Sequence, residues 1–244
     1  IGMFLSFCII TIGDKPDKLR LSVESIRRNF TSREAYEIIV VGNNLDQFKD
    51  LDIIFIEDNE YVEFLGKRRN IATDISKGDI LIHFDDDIIF PLDWVENFKR
   101  YDKKNKHWEI LGNKILLPDG KRHWDRATYF PLHQMVDYDY ESDQDVFYQT
   151  GGFCVVKKTL LEQVTWSNDL PFYAKYKGFE HNEDIDFSLR LNQLGKKISF
   201  DKDNTVWHYD YSYRSDNKSC NKKPKNITLD YKCLQFACFL NNIK

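Results

Sequence analysis

The feature that most restricts this chain is a strand–helix alternation in its first third. Residues 4–12 form a largely apolar stretch with β-branched side chains, the pattern of a strand buried on both faces. Pro16 suits a first helical position, and Leu19, Val23 and Ile26 set one apolar stripe on the helix that follows. Residues 37–41 read as a second strand, Gly42-Asn43-Asn44 as a turn, and residues 53–56 as a third strand. A helix is expected over 65–76, stopped by Lys77-Gly78, and a fourth strand over 79–84 runs straight into Asp85-Asp86-Asp87. This alternation predicts an α/β domain with a mainly parallel central sheet flanked by helices, whose ligands bind beyond the carboxyl ends of the strands. Gly13, Asp14, Asn43, Asn44, Glu57, Asp58 and the acidic triplet all fall at such ends.

The second half is less regular. A helix is expected over 91–100, and residues 110–117 and 121–124 flank Pro118-Asp119-Gly120 as a hairpin. Residues 127–145 read as loop. Residues 146–157 are strand-like around Gly151-Gly152, a pair that suggests close backbone approach. Asn182 is placed to cap a helix over 183–194, with Gly195 just beyond it. Residues 205–209 read as a last strand, 210–226 as a polar loop and 227–240 as a closing helix. With no repeat and no linker, one domain is expected.

Composition fits a globular chain: 244 residues, 42% apolar, 30% charged and a net charge of −4. Such a balance leaves no footprint for nucleic acid, which wants a basic surface. The longest apolar run, residues 7–12, is far short of the ~20 residues that span a bilayer. The five cysteines, Cys8, Cys154, Cys220, Cys233 and Cys238, contain no C-x-x-C and read as reduced thiols. No secretory signal is visible, and Ile1-Gly2 read as additions ahead of a native Met3. A cytoplasmic location, with peripheral membrane contact through the closing helix, is therefore expected. Asn-x-Ser/Thr matches at Asn29, Asn217 and Asn226 read as chance.

Three acidic residues directly after a buried strand repel one another, and a divalent cation is the simplest compensation. On extended chain, residues i and i+2 project to one side, so Asp85 and Asp87 are expected to converge while Asp86 points elsewhere. Carboxylate oxygens suit Mg²⁺ or Mn²⁺, with phosphate oxygens and water completing the shell. A solvated acidic turn before Pro91 is the alternative. His208 ends a strand-like run. A lone His is ordinarily structural, but one brought to Asp87 becomes a ligand candidate and favours Mn²⁺ over Mg²⁺.

Glu183 and Asp184 open a helix whose N-terminus is expected to keep them ionised and able to take a hydroxyl proton. First-turn capping is the plainer account. The cluster Gly66-Lys67-Arg68-Arg69-Asn70 attracts phosphate if it is not a solvated face. Lys218, Lys222, Lys223 and Lys225 form a second basic patch that closes over a diphosphate or remains loop. His123, Trp124, Arg126 and Tyr129 stack on sugar rings or simply pack.

In this order the pieces resemble the family 2 inverting glycosyltransferases of the GT-A fold, from Ser6 to about Tyr209. The opening strand at residues 6–12, the stretch from Gly66 through Asp87, the Gly151-Gly152-Phe153 segment, Asn182-Glu183-Asp184 with its helix, and Trp207-His208 each resemble a family motif. The resemblance implies a single GT-A domain over residues 3–226, with a nucleotide-binding half (3–87), an acceptor-binding half (88–226) and a packed helix in 227–244. It implies Asp87 and His208 as metal ligands for Mn²⁺ or Mg²⁺, with Asp85 near the ribose or the ion. Asp184 is implied as catalytic base and Glu183 as an acceptor-positioning group. Thr11, Asn43, Asn44, Asp58, Arg69, Asp85, Asp86 and Gly152 would line the donor.

The implied donor is a nucleoside diphosphate sugar, with UDP favoured although Asn43-Asn44 stands where many members carry an acidic residue. The implied reaction is hexosyl transfer to a glycan, lipid-linked or protein acceptor in polysaccharide or glycoconjugate synthesis. A sugar nucleotidylyltransferase, a metal-dependent phosphohydrolase and a non-catalytic carbohydrate-binding module are the competing expectations. The first usually carries a Gly-rich loop where Ile12-Gly13-Asp14-Lys15 has one Gly.

Overall fold

The computed structural model describes residues 3–32, 35–129, 135–142, 146–176 and 179–209. The first half follows the expected alternation: β1 (Leu5–Thr11), α1 (Pro16–Arg27), β2 (Tyr36–Gly42), β3 (Ile54–Glu57), α2 (Leu65–Ile75) and β4 (Ile80–Asp85). Next come β5 (Ile88–Ile89), α3 (Trp94–Lys104), β6 (Ile110–Leu116), β7 (Ala127–Tyr129) and β8 (Met135–Asp137). The chain continues through β9 (Phe153–Lys157), α4 (Lys158–Leu161), β10 (Lys175–Tyr176), β11 (Phe179–Glu180), α5 (Glu183–Gln193) and β12 (Ile198–His208).

Eight strands form one sheet in the order β3-β2-β1-β4-β9-β6-β12-β5. The four strands of the first half are parallel, as their helical or looped connections require. β9 then enters antiparallel to both β4 and β6, β12 is parallel to β6, and β5 is antiparallel to β12. The sheet is therefore mixed, with a parallel majority only because of its first half. Register brings Thr11, Gly42, Glu57 and Asp85 to one edge.

Strand alternation splits the core between the two faces. Leu5, Phe7 and Ile9 pack with Leu19, Val23 and Ile26 of α1 and with Trp94, Val95 and Phe98 of α3. Phe7 lies within 5.4–6.4 Å of the rings of Phe30, Tyr36, Phe84, Phe90 and Trp94, all near edge-on, a geometry aromatic quadrupoles favour. On the other face Cys8, Ile39, Val41 and Leu81 meet Ala72, Leu160, Trp166, Phe187 and Leu191. Cys8 and Cys154 are buried free thiols whose pKa values burial raises.

Several boundaries differ from expectation for physical reasons. α3 begins at Trp94, not Pro91, because the Pro91 carbonyl accepts from Trp94 N at 3.2 Å in a preceding turn and from Asn29 Nδ2 at 2.8 Å. Asn29 also accepts from Val95 N, so its side chain is committed to the fold. The turn at residues 118–120 forms, with Gly120 at φ +80°, but its return arm is a single bridge, Leu116 to Arg122. The stretch taken as loop holds the β7–β8 pair. β12 starts seven residues early, with a register break between Asp201 and Thr205. The polar Asp201-Lys202-Asp203-Asn204 inside it is that bulge. The expected loop over 210–226, the closing helix and Cys220, Cys233 and Cys238 lie outside the described residues. Among the described residues no helix is long and apolar enough to cross a membrane.

Candidate active site

At the edge where β1, β2 and β3 end, Arg68 of α2 ties the chain together from a fully buried position. Its Nε donates to Asp58 Oδ2 at 2.8 Å, Nη1 to the Thr11 carbonyl at 2.7 Å, and Nη2 to the Asp58 carbonyl at 2.8 Å and Asn43 Oδ1 at 3.2 Å. Thr11, Asn43 and Asp58 are thus brought together as expected, but by an arginine read in the sequence as a phosphate-attracting surface group. The Asp58 Oδ1 atom also accepts from the Glu60 and Tyr61 amides. Asn44, at φ +57°, spends its amide on the Ile12 carbonyl at 3.2 Å, so it does not share Asn43's place. Gly13 lies so close to the next turn that a Cβ would stand 2.3 Å from the Asn43 carbonyl.

β4 ends at Asp85, and Asp86 and Asp87 occupy a turn. The expected strand alternation therefore does not extend through the triplet, and its three carboxylates go three ways. Asp86 accepts the Thr11 hydroxyl, and burial pushes its carboxyl up to about 7. Asp85 Oδ1 lies 3.3 Å from Arg69 Nη2. Asp87 is buried, with Oδ1 3.6 Å from His208 Nε2 and Oδ2 3.6 Å from Lys15 Nζ. The topology explains the His208 contact: β12 pairs with β5 so that His208 stands opposite Ile88, and Tyr209 N donates to the Asp87 carbonyl at 2.8 Å. Asp87 and His208 offer one hard oxygen and one imidazole nitrogen, a donor set that suits Mn²⁺ or Mg²⁺ when other oxygens complete the shell. Among the described residues no three His, Cys, Asp or Glu side chains form a ready-made metal centre.

Glu183 and Asp184 open α5, and Asn182 precedes it without a side-chain cap bond. Both carboxylates are buried. Burial raises the Glu183 carboxyl to about 7, with Asp184 adding to the rise and Arg69 opposing it. The Asp184 carboxyl is also raised by burial, against the pull of hydrogen bonds from Tyr148 and Gly151. Desolvation thus works against the ionised form of both carboxylates, opposing the expected help of the helix N-terminus. Asp184 Oδ2 accepts from Tyr148 Oη at 2.5 Å and from Gly151 N at 3.1 Å.

Arg69 links the two groups of carboxylates. Its buried Nη2 is 3.3 Å from Asp85 and 3.5 Å from Glu183 Oε1, and its guanidinium lies 5.1 Å from the Trp166 ring centre. Gly151 makes room for this junction, since a Cβ there would meet Arg69 Nη2 at 3.0 Å and Glu183 Oε1 at 3.1 Å. Gly152 accepts the Asp85 amide at 3.2 Å through its carbonyl, beside the end of β4.

Two of the residues expected to stack on sugar have partners within the fold. Arg126 donates to the carbonyls of Asp139, Tyr140 and Ser142, which makes it a loop anchor. His123 stacks on His208 with ring centres 4.0 Å apart. The side chain of Tyr129 and the late lysines lie outside the described residues. Tyr148, Lys15 and the clamping role of Arg68 were missed. One signal for Tyr148's surroundings was legible: Asp184, Ser188 and Asn192 repeat every four residues and so share one face of the helix.

Residues 6–165 match the sequence profile described as glycosyl transferase family 2. No curated protein matches the chain. Among solved structures, residues 1–349 of S. aureus TarS superpose with a TM-score of 0.64 at 15% identity, covering 85% of this chain and 60% of that one. The same TarS piece in complex with UDP-GlcNAc gives 0.64, 15%, 85% and 59%. GalNAc-T7 with UDP, GalNAc and Mn²⁺ gives 0.66 at 17% identity, covering 86% and 44%. The chain therefore spans about 60% or less of these structures, and at such identities the likeness speaks to fold.

Proposed function

The chain belongs to glycosyl transferase family 2 and has the GT-A fold, and from that premise we propose that it transfers a sugar from a nucleoside diphosphate sugar to an acceptor hydroxyl with inversion. The observation that carries the reading is Arg69. One buried guanidinium touches Asp85 at the end of β4 and Glu183 at the start of α5, so the proposed donor-side and acceptor-side carboxylates meet at one residue. Thr11, Asn43, Asp58 and Gly152 border the donor. UDP is the favoured nucleotide, because TarS and GalNAc-T7 were both solved with it. The acceptor is a glycan, free or carried on lipid or protein, in polysaccharide or glycoconjugate synthesis.

In the proposed reaction the acceptor oxygen attacks the anomeric carbon as the bond from that carbon to the diphosphate oxygen breaks. The bonding pair leaves with the diphosphate, and the acceptor proton passes to Asp184. One displacement inverts the centre. Asp184 Oδ1 is a buried atom with no hydrogen-bond partner among the described residues, and it is the oxygen we assign to that proton. Asp87 and His208 would hold Mn²⁺ or Mg²⁺ in the working enzyme, which would supply positive charge beside the leaving diphosphate. Lys15, 3.6 Å from Asp87, and Arg69 add protein charge on the same side.

A thermal-shift panel of nucleoside diphosphate sugars, with and without Mn²⁺, tests the reading, because a ligand of the native state raises its apparent stability. A UDP-sugar is expected to raise Tm, and more so with Mn²⁺. A panel in which no nucleotide sugar shifts Tm under either condition would reject it.

A further inference from the structure

Resting on Asp184 as the base, we propose that Tyr148 is a positioning residue that fixes which oxygen of Asp184 reacts. Tyr148 Oη and Gly151 N both donate to Oδ2, and Oδ1 is a buried atom without a hydrogen-bond partner among the described residues. A carboxylate gripped through one oxygen by two donors cannot rotate freely, so its second oxygen keeps one direction.

The grip is itself anchored. Asn192 Nδ2 donates to the Phe147 carbonyl at 3.0 Å, and Gln149 N donates to Ser188 Oγ at 2.9 Å. With Asp184 these residues are spaced by four along α5, so one face of the helix holds the whole 147–151 segment. From the other side Tyr148 bridges to Ala127 of β7. A tyrosine placed only to fill space would put its hydroxyl on any acceptor. This one is buried and spends it on the carboxylate proposed to take the proton.

The charged or titratable groups that face Asp184 are Arg69 from α2, Tyr148 from the segment before β9, and Glu183 on α5 itself. Of these, Tyr148 acts through a direct hydrogen bond that favours the ionised form.

The test is a carbon-13 titration of the Asp184 carboxyl in the full chain, assigned by its absence from D184N. Tyr148→Phe keeps the ring that packs with Ala127 and Ile185 and removes only the donor. Its titration midpoint is expected to rise by about one pH unit, the worth of a charge-assisted hydrogen bond. 3-Fluorotyrosine at position 148, a stronger donor, is expected to lower the midpoint. UDP release from a panel of UDP-sugars should then fall in Y148F at every pH, about a further tenfold below the midpoint, and full recovery above the midpoint would overturn the positioning role. A midpoint equal in the parent and Y148F would overturn the proposal while leaving Asp184's role intact. If instead D184N releases UDP as fast as the parent, the base assignment fails, and the role of Tyr148 falls with it.

Discussion

His208 Nε2 stands 3.6 Å from Asp87 Oδ1, although one residue ends the last strand and the other follows the fourth. If this pair holds the cation, Asp87→Ala should weaken Mn²⁺-dependent UDP binding by about 10–100-fold or more, the loss seen when even outer partners of a metal are removed. His208→Ala should show a smaller loss, and UDP binding without Mn²⁺ should change little in either. Calorimetry giving equal Mn²⁺-dependent affinities in parent and D87A would remove the pair from the metal site.

Asp184→Asn should cut turnover by about 10²–10⁴-fold, the usual worth of a general base. Donor binding, read as the thermal shift with UDP-sugar, should persist, because proton transfer belongs to the transition state. Equal loss of binding and turnover would instead mark Asp184 as part of the framework.

Glu183 makes stability depend on pH. Its folded carboxyl sits at about 7 against an ordinary value of 4.5. Between those values the folded chain binds more protons than the unfolded chain, so stability falls as pH rises from about 4.5 to about 7. Glu183→Gln should relieve this, with a gain at pH 8 relative to pH 4 on the order of 3 kcal/mol. Urea unfolding at the two pH values reads it, and an identical pH dependence in E183Q and parent would count against the raised carboxyl.

Arg68→Met should be costly in another way. It strands Asp58 as a buried charge and frees three chain segments, and breaking a buried pair by removing one partner typically costs about 3–5 kcal/mol. The double variant R68M/D58N should recover part of that loss in urea unfolding. Arg68→Lys should recover little, since an ammonium cannot reproduce a forked set of bonds to three segments. A single variant as stable as the parent would show that the clamp is dispensable.

The first half of the fold was legible because its strands are apolar throughout and its helices carry one stripe. β1, α1, β2, β3, α2 and β4 each begin or end within about two residues of expectation. β12 was legible only at its end, because the bulge at residues 201–204 reads as a polar turn when the neighbouring strand β6 is not in view. The acidic triplet stood out by its charge, but its geometry was not legible, since the turn at Asp86 and Asp87 precedes the pairing of β5 with β12. Glu183 and Asp184 were legible as the start of a helix, but their burial was not, because the groups they contact, Arg69, Tyr148 and Gly151, are distant in sequence. Arg68 and Arg69 are neighbours in one basic run, and nothing local separates a clamp from a bridge between carboxylates.

The pairing of β12 with β5 has a consequence for synthesis of the chain. A growing polypeptide exposes Asp87 more than a hundred residues before His208 is made. The parallel strands of the first half can assemble in that interval, yet the residue opposite Ile88 does not exist. If Asp87 and His208 hold the cation as proposed, cation-dependent donor capture on the ribosome would wait until the last strand has docked.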